Sequence, residues 1–290
     1  MRPAVSRWTV RRERLRAVLE GGRCVHPASV HDPISARIAE DLGFELGMLA
    51  GSVASLAVLG APDLILLTLT EFAEQARRIC RAGTLPLLCD ADHGYGNALN
   101  VVRTVEELEA AGVAGLSVED TELPQPHGSG GRPRLVSVEE GVGKMRAAVA
   151  ARGDTGIVVA GRTSAPAITG VADAVARARA YAACGVDAIF LVGVRTRADL
   201  DAIASEVRLP LILGGAGPEI LDPDYLSSRG VRVCLQGHQP FAAAVQAIHD
   251  TLSALRAGTP PAQLTGAADE VLMKRLMRDE EVRRQGREWL

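Results

Sequence analysis

Short, unbroken apolar runs recur along the chain, separated by longer stretches in which apolar residues return at helical spacing. Eight of the runs read as strands, at residues 23–26, 46–50, 86–90, 115–119, 156–162, 188–193, 210–213 and 231–235. Most of them lack polar/apolar alternation, as strands buried on both faces do. Strands alternating with helices predict a parallel α/β fold, and eight such units predict a (β/α)8 TIM-type barrel. Thr104 before Val105-Glu106-Glu107-Leu108, closed by Ala110-Ala111-Gly112, reads as one helix, and 173–184 ending at Gly185 as another. Ala-Gly-Val at 111–113 and Cys-Gly-Val at 184–186 each lead into a new strand. Gly258-Thr259-Pro260-Pro261 breaks this rhythm. Residues 269–290 then read as one charged amphipathic helix with Val271, Leu272, Leu276 and Met277 on one side. The expected organisation is a barrel domain over 1–257 and a helical tail over 258–290 that packs on a neighbouring subunit.

Composition narrows the class. The chain has 290 residues, 47% of them hydrophobic and 23% charged, which is enough apolar surface for one large core. Its 32 basic and 35 acidic side chains leave a net charge of −3, so no positive field favours a nucleic-acid partner. Cys24, Cys80, Cys89, Cys184 and Cys234 are odd in number and never in a Cys-x-x-Cys pair, which points to a reducing, cytoplasmic setting rather than a disulfide framework or zinc ribbon. The uncharged run 46–62 falls short of the ~20 residues that span a bilayer, so no membrane segment is expected. Arg2, Arg7, Arg11, Arg12, Arg14 and Arg16 precede no apolar signal core and read as a solvated helix face.

In a parallel barrel the chemistry sits where strands end and loops begin. The third run leads into Asp90-Ala91-Asp92 and the fourth into Glu119-Asp120. If the third strand persists, alternation sends Asp90 and Asp92 to one side, with Glu119 beside them. Converging carboxylates repel unless a cation lies between them, and all-oxygen ligation suits Mg²⁺ or Mn²⁺. The blander reading has an aspartate capping the next helix and Glu119 pairing with a surface arginine. Asp63 is a further outer carboxylate or a plain loop acid. Arg162, at the end of the fifth run, either clamps a substrate carboxylate or pairs with one of the acids. His238, beyond the last run, contacts a substrate oxygen, moves a proton or is structural.

Four motifs together resemble the isocitrate lyase/phosphoenolpyruvate mutase superfamily across about residues 15–255. They are Asp-Ala-Asp-His-Gly-Tyr-Gly-Asn at 90–97, Ser-Val-Glu-Asp at 117–120, Gly-Arg-Thr at 161–163 and Gly-Ser-Val-Ala-Ser at 51–55. The segments at 26–37, 139–144 and 237–238 resemble its oxaloacetate decarboxylase branch. The resemblance implies a Mg²⁺-dependent carboxy-lyase that converts oxaloacetate, or a related 2-oxo acid, to pyruvate and CO₂ through a metal-stabilised enolate. It implies Asp90 as direct metal ligand, with Asp63, Asp92 and Glu119 holding the ion through water. It also implies Gly51, Ser52 and Val53 as the loop that binds the substrate carboxylate or enolate oxygen, Arg162 and His238 as further substrate contacts, and a dimer of dimers that exchanges C-terminal helices.

Departures from the pattern keep rivals in play. The loop after Asp120 lacks the cysteine motif of the carbon–carbon lyases and the Asn-containing loop of the phosphonate enzymes, and its glycines and prolines suit either a lid or a surface loop. Gly214-Gly215-Ala216-Gly217 stands where the branch has Thr-Tyr-Gly-Asn, and Ser164, Pro166 and Gln236 also depart from it. The glycine segment suits a lyase acting on a substituted malate or citrate. It also suits a barrel that binds a phosphorylated ligand without this chemistry.

Overall fold

The computed structural model describes residues 7–154 and 156–290, so Arg2 and the first six positions of the expected barrel domain lie outside the described residues. Eight parallel strands pair in chain order. They are β1 (Ala28–Ser29), β2 (Gly47–Leu49), β3 (Leu87–Asp90), β4 (Gly115–Glu119), β5 (Val158–Thr163), β6 (Ala188–Val192), β7 (Leu211–Gly214) and β8 (Val231–Cys234). A parallel bridge from Val25 to Val233 joins the start of the sheet to its last strand. The architecture is a (β/α)8 TIM-type fold with added C-terminal helices. The first expected strand is displaced: 23–26 contributes only the Val25 bridge, and the ladder forms at Ala28–Ser29.

The helices are α1 (Arg7–Glu20), α2 (Pro33–Asp41), α3 (Gly51–Leu59), α4 (Leu69–Ala82), α5 (Ala98–Ala111), α6 (Val138–Ala150), α7 (Ala165–Ile168), α8 (Val171–Ala182), α9 (Arg197–Glu206), α10 (Pro223–Ser228), α11 (Gln239–Arg256), α12 (Glu270–Leu276) and α13 (Asp279–Trp289). Helix α5 starts six residues before Thr104, because Asn97 caps it by accepting from the Leu99 N–H at 2.9 Å. Thr104 is instead buried in its interior. The expected single tail helix is two, broken where Met277 and Arg278 separate α12 from α13. Of its predicted apolar stripe only Leu276 is buried, while Val271 and Met277 are exposed.

The absence of alternation in the strands has a direct cause. Met48, Leu88, Val158, Ala160, Phe190, Ile212 and Val233 fill the barrel interior, whereas Leu87, Cys89, Leu116, Val118, Val159 and Leu191 face the helix shell. Both pleat directions are thus apolar. Helix α1 sets Leu15 and Leu19 into the interior cluster. Two of its arginines leave the expected solvated face: Arg11 and Arg12 are buried, and Arg12 reaches Asp154 at 2.6 Å and the Glu109 carbonyl at 3.0 Å, while Arg14 is exposed. Among the described residues no helix is long and apolar enough to cross a membrane, and all five cysteines are unpaired.

Candidate functional site

Strand register brings the acids together. In the β3–β4 ladder Asp90 lies beside Ser117, and in the β4–β5 ladder Glu119 lies beside Arg162. Arg162 therefore projects between two carboxylates, donating through Nη1 to Asp90 and lying 3.1 Å from Glu119 Oε2 through Nη2. Its guanidinium carbon sits 5.3 Å from the centre of the Phe190 ring, which belongs to the barrel-interior cluster. Burial opposes the arginine's charge, yet Asp90 and Glu119 outweigh it and hold the cation firmly protonated. Arg162 Nε is buried without a partner. Ser117, which the sequence reading missed, donates to Asp90 at 3.3 Å; its two-residue offset from Glu119 on one strand was the available signal.

Asp92 reaches the site by another route than the one expected. Strand β3 stops at Asp90, and Asp92 adopts a left-handed backbone with φ of 48°, so strand alternation does not place it. A turn does: the Asp92 carbonyl accepts from the Glu119 N–H at 2.8 Å, tying the loop to the end of β4. Its carboxylate lies against Gly51, the first residue of α3, where a Cβ would stand 2.6 Å from Oδ1. Gly51, Ser52 and Val53 form the first turn of that helix, whose N–H groups lack intrahelical acceptors and carry the positive end of its dipole.

Asp63 lies in the exposed segment after α3 with its carboxyl partly withdrawn from water. That desolvation and then the charge of Asp90 raise its pKa, while Arg162 and His238 pull it down. His238 holds Ser29 Oγ at 2.9 Å through Nδ1, a pairing across 209 positions that no local pattern announces. Burial lowers the pKa of His238, opposed by Asp90 and Asp63.

The electrostatics of the cluster report excess negative charge. Burial and then the fields of Asp90, Glu119 and Asp63 push Asp92 well above the ordinary carboxylate range. Burial lifts Glu119 to about 6 despite Arg162. Four carboxyl groups facing one guanidinium, all with hard oxygen donors, fit a Mg²⁺- or Mn²⁺-type cation. Among the described residues no three acids, histidines or cysteines are close enough to grip an ion directly between them. One direct ligand with the rest acting through water does not require that.

The glycine segment after β7 has local structural reasons. A Cβ on Gly217 would strike the Arg195 carbonyl at 2.2 Å, and its N–H already donates to the Val194 carbonyl at 2.9 Å. Gly214 rests against the Phe190 ring, 3.0 Å from where its Cβ would be. The loop after β4 closes on a neck, with Thr121 bridged to Leu135 and the Glu122 N–H donating to the Arg134 carbonyl at 2.8 Å. Below that neck Asp120 is fully buried with Tyr181 Oη at 2.7 Å and Arg177 Nη1 at 3.0 Å.

Residues 15–256 match the family model described as phosphoenolpyruvate phosphomutase. Over 283 residues, 98% of each chain, the sequence is 60% identical to an oxaloacetate decarboxylase of Rhodopseudomonas palustris strain BisB18. A phosphonopyruvate hydrolase solved with oxalate and Mg²⁺ superposes with a TM-score of 0.84 at 30% identity, over 96% of this chain and 99% of that one. An oxaloacetate acetylhydrolase solved with the inhibitor 3,3-difluorooxalacetate also gives 0.84, at 29% identity over 96% and 97%.

Proposed function

The chain belongs to the phosphoenolpyruvate phosphomutase family, and from that premise we propose that it is a carboxy-lyase that decarboxylates oxaloacetate to pyruvate and CO₂ with a divalent cation at the strand-end acids. The near full-length likeness to an oxaloacetate decarboxylase carries the choice of reaction. The acid cluster facing the start of α3 supplies groups suited to it.

Asp90 would hold the cation directly, and Asp63, Asp92 and Glu119 would hold it through water. A bound Mg²⁺ or Mn²⁺ supplies a Lewis acid that draws electron density from the 2-oxo group. The N–H groups of Gly51, Ser52 and Val53, with the Ser52 hydroxyl, would receive a carboxylate or a developing oxyanion. Arg162, seated over Phe190 and carrying an unpartnered Nε, offers a fixed positive charge to the substrate. In the reaction the C3–C4 bond breaks and CO₂ departs. The electron pair passes into the C2–C3 bond and onto the oxo oxygen, and C3 then takes a proton from His238 or from water. With Nδ1 on Ser29 Oγ, His238 has Nε2 for that contact.

The barrel over 1–257 would carry this site, and the tail over 258–290 would serve assembly in a dimer of dimers. Helix α11, which ends just before that tail, adds a further apolar surface for assembly: none of its residues is buried, and Val245, Ile248, Leu252 and Leu255 are exposed. Beside its start, a cavity of about 520 Å³ is lined by Ile34, Ile38, Leu42, Phe44 and Pro240. Exchange of α11 between copies would cover both apolar surfaces. Five unpaired cysteines suit a reducing cytoplasm.

The deciding experiment mixes purified protein with oxaloacetate and Mg²⁺ and follows pyruvate above the spontaneous rate, with and without a chelator. Pyruvate formation that the chelator abolishes is expected. Turnover of alkylmalates but not oxaloacetate would replace the decarboxylase reading with a carbon–carbon lyase.

A further inference from the structure

Lys144 is a buried cation that no step above employs. It lies on the inward face of α6 with 3% of its surface exposed, and its Nζ donates to the His93 carbonyl at 3.0 Å. Desolvation lowers its pKa, and the charges of Glu140, Glu119 and Asp120 pull it back up.

The loop it touches is under conformational tension. Asp92 and Tyr95 both have left-handed backbones, with φ of 48° and 58°, a region that residues with side chains disfavour. Such a conformation persists only where the surroundings over-determine it. Here three successive carbonyls are each held from a different element. The Glu119 N–H at the end of β4 holds Asp92 at 2.8 Å, Lys144 of α6 holds His93 at 3.0 Å, and Thr104 Oγ1 of α5 holds Gly94 at 3.0 Å. Of these donors Lys144 alone is charged, and it acts on the His93–Gly94 peptide, one residue beyond Asp92. Losing it would leave a buried carbonyl without its donor and loosen the turn that starts at Asp92, so that the Asp92 carboxylate is held less firmly.

We propose that Lys144 is a positioning residue that, through the His93 carbonyl, keeps the Asp92 carboxylate aimed into the site. The inference rests on the reading of Asp92 as a carboxylate that serves the cation.

The test compares wild type with Lys144→Met in two ways. Amide hydrogen exchange of the metal-free proteins reads the hold on residues 91–97, and Mn²⁺ titration followed by electron paramagnetic resonance reads the acid cluster. Faster exchange confined to 91–97 is expected, together with a Mn²⁺ dissociation constant raised about tenfold, as for other groups that orient metal ligands from behind. A folded variant with wild-type exchange at 91–97, or with faster exchange but unchanged Mn²⁺ affinity, would overturn the proposal. If Met at this position prevents folding, Lys144→Arg, which keeps charge and donor, should restore both the fold and Mn²⁺ binding. Failure of that variant too would mean that the lysine serves the barrel as a whole, and the proposal falls. Wild-type protein that binds no Mn²⁺ would sink the cation reading instead, leaving the exchange measurement to decide whether Lys144 holds the loop.

Discussion

Gly51 and Asp92 touch so closely that a single added carbon would separate them: a Cβ on Gly51 would lie 2.6 Å from Oδ1 and 2.8 Å from Oδ2 of the aspartate. The first turn of α3 and the acid cluster are thereby packed as one unit, which places the free N–H groups of a helix start beside the carboxylates.

Gly51→Ala should therefore push the Asp92 carboxylate aside without unfolding α3, since alanine is a good helix former. An ångström-scale misplacement of a catalytic group is worth about 10²-fold in rate. We expect kcat for oxaloacetate to fall by about that factor while the melting temperature hardly moves. Unchanged kcat would show that the position of Asp92 is immaterial to turnover.

Arg162 spans Asp90 and Glu119 with the two arms of one planar guanidinium. A lysine ammonium is a point charge without that fork. Arg162→Lys should preserve the fold and lower kcat/KM on the order of 10²-fold, the effect of losing a preorganised donor. Steady-state kinetics with oxaloacetate provide the measurement, and a loss below threefold would remove Arg162 from the reaction.

Helix α11 exposes Ile248 and Leu252 at 59% and 60%, too apolar a pair to face water in the working protein. The double variant Ile248→Glu, Leu252→Glu should convert an assembled protein to monomers in sedimentation velocity. Wild-type protein that is itself monomeric at micromolar concentration would refute helix exchange.

Asp154 is held below the ordinary carboxylate range, first by the Gly156 N–H at 2.8 Å and next by Arg12 at 2.6 Å. A carboxyl whose folded pKa is depressed adds stability that is present above the unfolded value, about 3.9, and is lost as pH falls through the folded value. Asp154→Asn should thus cost less than about 1 kcal/mol at pH 7, given the part-exposed pair. As pH falls below about 4 its denaturation curve should move toward that of wild type, meeting it below the depressed folded value. A variant whose deficit persists unchanged at pH 2 would assign the loss to shape rather than charge.

Much of this molecule was legible before folding was considered. The residues of β4 were readable to the last position, because a run buried on both faces announces itself locally. The chain positions of Asp90, Glu119 and Arg162 followed from the ends of such runs. Thr104 misled because its capping chemistry is sound in isolation, while the tertiary fold uses Asn97 instead and buries Thr104 against the Gly94 carbonyl. Arg11 and Arg12 misled for a similar reason: charge predicts exposure until buried carbonyls and acids surround it.

By itself the sequence determined the strand–helix rhythm, the apolar filling of both strand faces and the acids at strand ends, all of which depend on residues within a few positions of one another. Only the tertiary structure decided that Arg162 stands between Asp90 and Glu119, that a left-handed turn delivers Asp92 to Gly51, and that Ser29 meets His238 while Lys144 meets His93. Those relations depend on strand register and on how the barrel curls. Both are set by the sum of contacts between distant segments, which no local pattern encodes.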